Sequence, residues 1–245
     1  MFMTSKDRIM LWGWYGYENL GDDLLLETML KHLQGNVAVA MRKKYPWIKA
    51  NQVKRSYGQM ALGAFRYAVV VIGPGGLFPV NREWKVFLYY LITRLWILMG
   101  KRVIFFGIGI SEEMNDLCAF LWRRMAKTAD LFAPRSELVL QRLGLQESET
   151  IHAMADCVFA SGMRNKERII ENRVAISVAN LQQVEGKLFW NVVDKWTRVV
   201  KELLRKGFCV DLIAFTKGDD DEMIDAILKN LKYMGGTSDI LQEYN

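Results

Sequence analysis

Two adjacent carboxylates, Asp22 and Asp23, follow a glycine in the stretch GYENLGDDLLL. One has a ready structural use, because an aspartate at a helix N-terminus accepts backbone N–H groups and stabilises the helix by about 1 kcal/mol. The other is then available as a general base or as a holder of a substrate hydroxyl, well placed to orient a polyol over an anion-binding edge. Arg135, in APRSELVLQRLG, could clamp a carboxylate or phosphate through two N–H groups, which lysine does poorly. It could equally pair with Glu137 or another nearby acid. Asp156 lies inside the apolar run AMADCVFA and needs a partner if buried, with Arg135 one candidate. The two histidines are weaker candidates: His32 reads as a packing or surface residue of a helix, and His152 precedes the Asp156 run. No Ser–His–Asp signature accompanies them.

Three glycine-bearing turns share a position. GYENLGDD, GPGGLFP and GIGISEE each follow an apolar run that reads as a strand. Glycines there (Gly21, Gly75, Gly76, Gly107 and Gly109) let backbone N–H groups face an anion with no Cβ in the way, and the helix opening near Asp22 adds a positive dipole end. Any one such turn is explained by tight strand-to-helix geometry alone. Three at one edge of one sheet point to a ligand site. None is a GxxxxGKS/T phosphate loop, and the first lacks GxGxxG spacing, which weakens an ATP or nicotinamide reading.

The elements that must position these residues alternate. Strand-like runs RIMLWG, NVAVAM, YAVVVIG, KRVIFFGIGI and ADLFAPR are separated by helical patterns at 22–33, 84–100, 115–127 and 136–143, the last closed by Gly144. The YAVVVI strand should stop at PGG. After a polar stretch at 161–173 the alternation resumes with VAISVAN, a helix at 190–206, FCVDLIAF and a helix at 220–233. Strands alternating with helices imply parallel βαβ units. We therefore expect an α/β protein of two Rossmann-like parallel-sheet units, 1–165 and 166–245. The second is expected to be incomplete, because two strands and two helices do not readily bury both faces of a sheet.

The chain has 245 residues, 51% hydrophobic and 24% charged, with 33 basic and 27 acidic residues giving a net charge of +6. That excess suits anionic substrates, phosphates or an anionic membrane surface. Three dispersed cysteines form no metal or disulfide pattern and suggest a reducing compartment; no metal site is expected. The apolar segment at 84–100 carries Lys85 and Arg94 and is shorter than the roughly 20 residues of a membrane span. It reads as a buried or subunit-contact helix, or alternatively as one lying on a membrane surface. No signal peptide is seen. The basic stretch RKKYPWIKANQVKRS reads as a solvated loop that could meet nucleic acid or anionic lipid head groups, although no nucleic-acid-binding motif accompanies it.

NLGDD, VIGPGGLF, VIFFGIGIS, RSELVLQRLG and MADCVF come in an order and spacing that resembles the polysaccharide pyruvyl transferases. The resemblance covers most of 8–160. It implies two Rossmann-like halves arranged as in GT-B glycosyltransferases, with the active site in the cleft between them. It implies phosphoenolpyruvate as donor, with no further cofactor, and a lipid-linked or polymeric saccharide of an exopolysaccharide, capsule or cell-wall polymer as acceptor. The enzyme would work in the cytoplasm, with peripheral contact to the inner face of the membrane and no nucleic-acid partner. Asp22 and Asp23 would be catalytic; Asn19, Gly21, Gly75, Gly76, Gly107, Gly109, Arg135 and Asp156 would bind substrate. Asn180 stands near where the family carries an arginine after the first strand of its second half, and joins the substrate-binding set. The family's later Arg–x–His pair has no counterpart before Asn245, in keeping with the expected incompleteness. The rival readings are a GT-B glycosyltransferase using a nucleotide sugar, and a non-catalytic glycan- or partner-binding member.

Overall fold

The computed structural model describes residues 7–78, 83–110, 114–161, 172–178 and 187–233. The chain divides into two compact units, the first of Met1–Tyr17 and Gly21–Met163, the second of Glu18–Leu20 and Arg164–Asn245.

The first unit is built on a parallel sheet of seven strands: β1 (Arg8–Tyr15), β2 (Asn36–Met41), β3 (Asn51–Lys54), β4 (Val69–Ile72), β5 (Gly75–Phe78), β6 (Arg102–Ile110) and β7 (Leu131–Pro134). Their spatial order is β3-β2-β1-β4-β6, with β5 continuing along the β4 side of β6 and β7 on its other side. Among the described residues there are seven α-helices, of which five belong here: α1 (Leu20–His32), α2 (Tyr57–Arg66), α3 (Glu83–Leu98), α4 (Asp116–Thr128) and α5 (Glu137–Leu143).

Strand periodicity sorts the core. Met10, Trp12, Val70 and Ile72 face one side with α2, α3, α4 and α5, while Ile9, Leu11, Val69 and Val71 face the other with Leu25, Leu26 and Met29 of α1. Both sheet faces are thus covered, which is why β4 is wholly apolar, VVVI, and wholly buried. Helix starts are set by short polar side chains: Ser56 accepts from Gln59 N, Asn115 from Cys118 N and Ser136 from Leu138 N. Gly144 closes α5 in the left-handed conformation, as its position after the helical pattern predicts.

Three expectations are corrected or extended. Helix α1 begins at Leu20, so Asp22 and Asp23 are its third and fourth residues and neither occupies the cap position. The YAVVVI strand does stop before PGG, at Ile72, but past the cis Gly73–Pro74 peptide a strand that was not expected, β5, begins at Gly75. The basic stretch contains β3, and helix α2 follows it.

In the second unit β8 (Arg173–Ser177) and β9 (Cys209–Ile213) pair in parallel, flanked by α6 (Lys187–Arg205) and α7 (Asp219–Tyr233). Val193, Val200, Val210, Met223 and Ile227 form its core. The Glu18–Leu20 segment belongs here through an Asn19–Thr216 bridge.

Candidate functional site

In the first sheet the chain runs outward from β1 to β2 and β3 on one side, then returns to β4 and on to β6 and β7 on the other. The reversal lies between β1 and β4, and an open parallel sheet binds its ligands beyond the carboxyl ends of the strands at that point. Asp22 and Gly75 meet there. A Cβ on Gly75 would stand 2.6 Å from Asp22 Oδ1, and Gly75 has φ +122°, so both the close approach and the backbone require glycine. One strand further along, a Cβ on Gly109 would stand 2.7 Å from Arg135 Nε and Nη2. The two glycines let an aspartate and an arginine lie over the strand ends.

Arg135 Nη1 donates to Asp156 Oδ2 at 3.2 Å, so the nearby acid is Asp156 and not Glu137. Asp156 also opens the short 3-10 turn Cys157–Ser161, its Oδ1 accepting from Val158 N. Gly107 lies beneath Pro74, where a Cβ would come within 2.9 Å of the proline Cβ. Gly76 is exposed with open space around it.

The electrostatics single out Asp22. Burial, and then the neighbouring Asp23 carboxylate, push its carboxyl from an ordinary 3.8 up to about 6, while Arg135 pulls it down. Asp23 Oδ2 accepts from Tyr45 OH at 3.2 Å. Beneath Asp22 the fully buried Tyr15 donates to Gly73 O at 2.6 Å, and burial followed by the Asp22 charge holds its phenol neutral. Burial, and then Asp156, raise the Cys157 thiol to about 11, which makes it a packing residue and not a nucleophile.

Sequence reasoning missed Arg55. It follows β3, and its Nε donates to Gly13 O at 2.8 Å and its Nη1 to Tyr17 OH at 3.2 Å. Its guanidinium lies 4.8 Å from the Trp14 ring centre, 5.2 Å from Trp12 and 5.7 Å from Tyr17. Trp14 and Tyr17 stack at 4.0 Å, and Arg42 lies over Tyr17 at 5.0 Å. Among the described residues no carboxylate pairs with Arg55, so a half-buried cation is held in an aromatic frame beside the β1 end. No motif signals this; the arginine and its rings are brought together only by the β1–β2–β3 pairing.

Asn19 lies in the second unit, where its Nδ2 donates to Thr216 Oγ1 at 2.8 Å. Asn180 lies outside the described residues. The histidines do not join the site: His32 Nε2 is 3.1 Å from Ala160 O, and the His152 backbone N donates to Phe132 O.

The first unit is thus a Rossmann-type α/β sheet whose switch-point edge carries an aspartate with a raised pKa, an arginine, and a second arginine framed by aromatic rings. The family follows from comparison: the family model for polysaccharide pyruvyl transferase matches residues 19–244, and the chain belongs to that family. No curated protein matches it. Among solved structures, UDP-N-acetylglucosamine 2-epimerase from Rickettsia bellii is similar with a TM-score of 0.53 and 10% identity, over 98% of this chain and 69% of that one. That likeness is one of fold, a Rossmann-type α/β arrangement. A GalE-like L-threonine dehydrogenase from Cupriavidus necator is aligned with a TM-score of 0.30 and 9% identity over 95% of this chain and 74% of that one, and carries no argument.

Proposed function

We propose that this transferase adds a pyruvate ketal from phosphoenolpyruvate to a saccharide of an exopolysaccharide, capsule or cell-wall polymer precursor, with Asp22 as its proton-transfer residue. The observation that carries the reading is the Asp22 carboxyl near 6, within the electrostatic reach of Arg135 at the sheet's ligand edge. A carboxyl poised there exists in both forms near neutral pH, as a general acid–base must.

In the proposed reaction, Asp22 delivers a proton to C3 of the donor, turning its methylene into a methyl group and leaving C2 electron-poor. One acceptor hydroxyl adds to C2 and loses its proton. The C2–O bond to phosphate then breaks and a second hydroxyl of the same sugar closes the ketal. One diol proton ends on C3 and the other on the released phosphate, so the net products are the ketal and inorganic phosphate. Arg135 neutralises the donor carboxylate or phosphate, and Asp23 returns the proton or holds the diol. Gly75 and Gly109 give the donor access to the strand ends, with Gly21, Gly76, Gly107 and Asp156 shaping the edge around them. In this reading the acceptor is a lipid-linked or polymeric saccharide, and the reaction takes place in the cytoplasm at the inner face of the membrane.

The test is a thermal-shift titration, since a ligand bound only by the folded state raises the melting temperature. Phosphoenolpyruvate should raise it, a nucleotide sugar should not, and Arg135→Met should abolish the response. Stabilisation by a nucleotide sugar alone would overturn the reading.

A further inference from the structure

Helices α2, α3 and α4 lie side by side on one face of the first sheet, and the sides they turn away from it are apolar. On α3 the exposed residues Trp84, Phe87, Leu91 and Leu98 recur at intervals of three, four and seven, which is one helical stripe. Trp84 is 60% exposed and Leu98 77%. Next to it α2 exposes Leu62 and Phe65, the latter by 62%. On the other flank α4 exposes Leu117 and Phe120. Single exposed apolar residues are ordinary; three neighbouring helices doing so together are not.

The cations on these stripes identify the occupant. Arg94 falls within the α3 stripe, Arg66 ends α2, and Arg124 and Lys127 continue the α4 stripe. One of these cations, Arg124, lies over Phe120 at 5.4 Å, and beside the α3 stripe Lys85 lies over Trp84 at 5.5 Å. Glu83 and Asp116 stand at one end, in the first turns of α3 and α4. A second copy of the same face would set these cations against each other. An anionic lipid surface meets them with opposite charge, while the rings and leucines enter the boundary between headgroups and acyl chains. Among the described residues no helix is long and apolar enough to cross a membrane, so the contact is one of lying on the surface.

We propose that the outer face of α2, α3 and α4 docks on an anionic phospholipid membrane. This gives a surface to the membrane contact in the reading above, yet its test uses neither donor nor acceptor, so each can fail alone. The whole chain is sedimented with vesicles of phosphatidylcholine alone, or of phosphatidylcholine with about one-third phosphatidylglycerol. Binding is expected to the anionic vesicles only, and to fall about tenfold or more between 0.05 and 0.5 M salt, across which screening becomes strong. Phe87→Glu with Leu91→Glu should lower vesicle binding about tenfold or more while the melting temperature holds, because both side chains are exposed. Arg94→Gln with Arg124→Gln should weaken binding and flatten the salt dependence. Three results would overturn the proposal: no binding to anionic vesicles, undiminished binding by the Glu variant, or a solution dimer that the Glu variant splits.

Discussion

Removing the Asp22 charge should make the protein more stable in a way that depends on pH. The carboxyl titrates near 6 in the fold against an ordinary 3.8, chiefly because it is buried and Asp23 stands beside it. Holding it ionised in the folded state therefore costs about 3 kcal/mol relative to the unfolded chain. For a carboxyl raised in this way, the unfolded chain releases the proton first as pH rises. Stability is thus highest below about 4, falls between about 4 and 6, and stays lower above. Asp22→Asn has nothing to ionise. The variant should match the parent near pH 3.5 and exceed it by about 3 kcal/mol at pH 7.5, or several degrees in melting temperature. Urea unfolding followed by tryptophan fluorescence reads this, since Trp12, Trp96 and Trp122 are buried in the first unit. Asp23→Asn should move the inflection to lower pH, and Arg135→Met to higher. A difference between Asp22→Asn and parent that stays constant from pH 3.5 to 7.5 would refute the reasoning.

The two glycines and the second unit yield three more outcomes. Gly75→Ala places a Cβ 2.6 Å from Asp22 Oδ1 at a φ of +122°, and should destabilise the protein by about 2 kcal/mol in calorimetry while shifting the Asp22 titration seen by carboxyl-carbon NMR. Gly109→Ala pushes on the Arg135 guanidinium, a flexible side chain, and should weaken phosphate binding about tenfold with little loss of stability, a split that titration calorimetry beside thermal melting reads. In the second unit, hydrogen bonding from Arg173 holds the Asp211 carboxyl below its ordinary range. That stabilisation is present above the ordinary carboxylate value and lost as pH falls through the lowered one, so Arg173→Met should flatten the acid sensitivity of amide exchange in β8 and β9.

The fold was legible where burial dictates composition. YAVVVI and KRVIFF read as buried strands, and they form β4, which lies beside β1, and β6, which lies beside β4. The misses lie where burial is partial. β3 is an edge strand whose Asn51 and Lys54 are exposed, so NQVK carries no apolar run. Helix α2 was hidden by Gly63, whose Cβ would come within 2.6 Å of Met10 Sδ and 2.8 Å of Trp96; tertiary packing demands the glycine that local propensity would avoid. At the site, Asp22, Gly75 and Arg135 could be named because their types and turns are unusual. That Asp22 leans on Gly75 while Arg135 leans on Gly109 depends on the β4–β6 register, which no local pattern carries. Arg55 was illegible for the same reason: four of its aromatic and carbonyl contacts come from β1 and the turn after it, some forty residues away in sequence.

The edge has an internal logic that a list of residues conceals. Arg135 lowers the proton affinity of Asp22, and burial with Asp23 raises it, so the carboxyl sits near 6 as a balance of opposing effects. An anion bound against Arg135 would neutralise an influence that favours ionised Asp22 and add a negative charge beside it. Both changes push the carboxyl further up, so an anionic donor would recruit the proton that its own activation requires. On departure of phosphate in the proposed reaction, the influence of Arg135 would return and Asp22 would again be able to ionise. Asp156 engages Arg135 through a half-exposed contact at 3.2 Å, which an anion could replace at little expense. In the proposed reaction Asp22 would thus arm itself on donor binding and call on neither His32, whose Nε2 lies 3.1 Å from Ala160 O, nor His152.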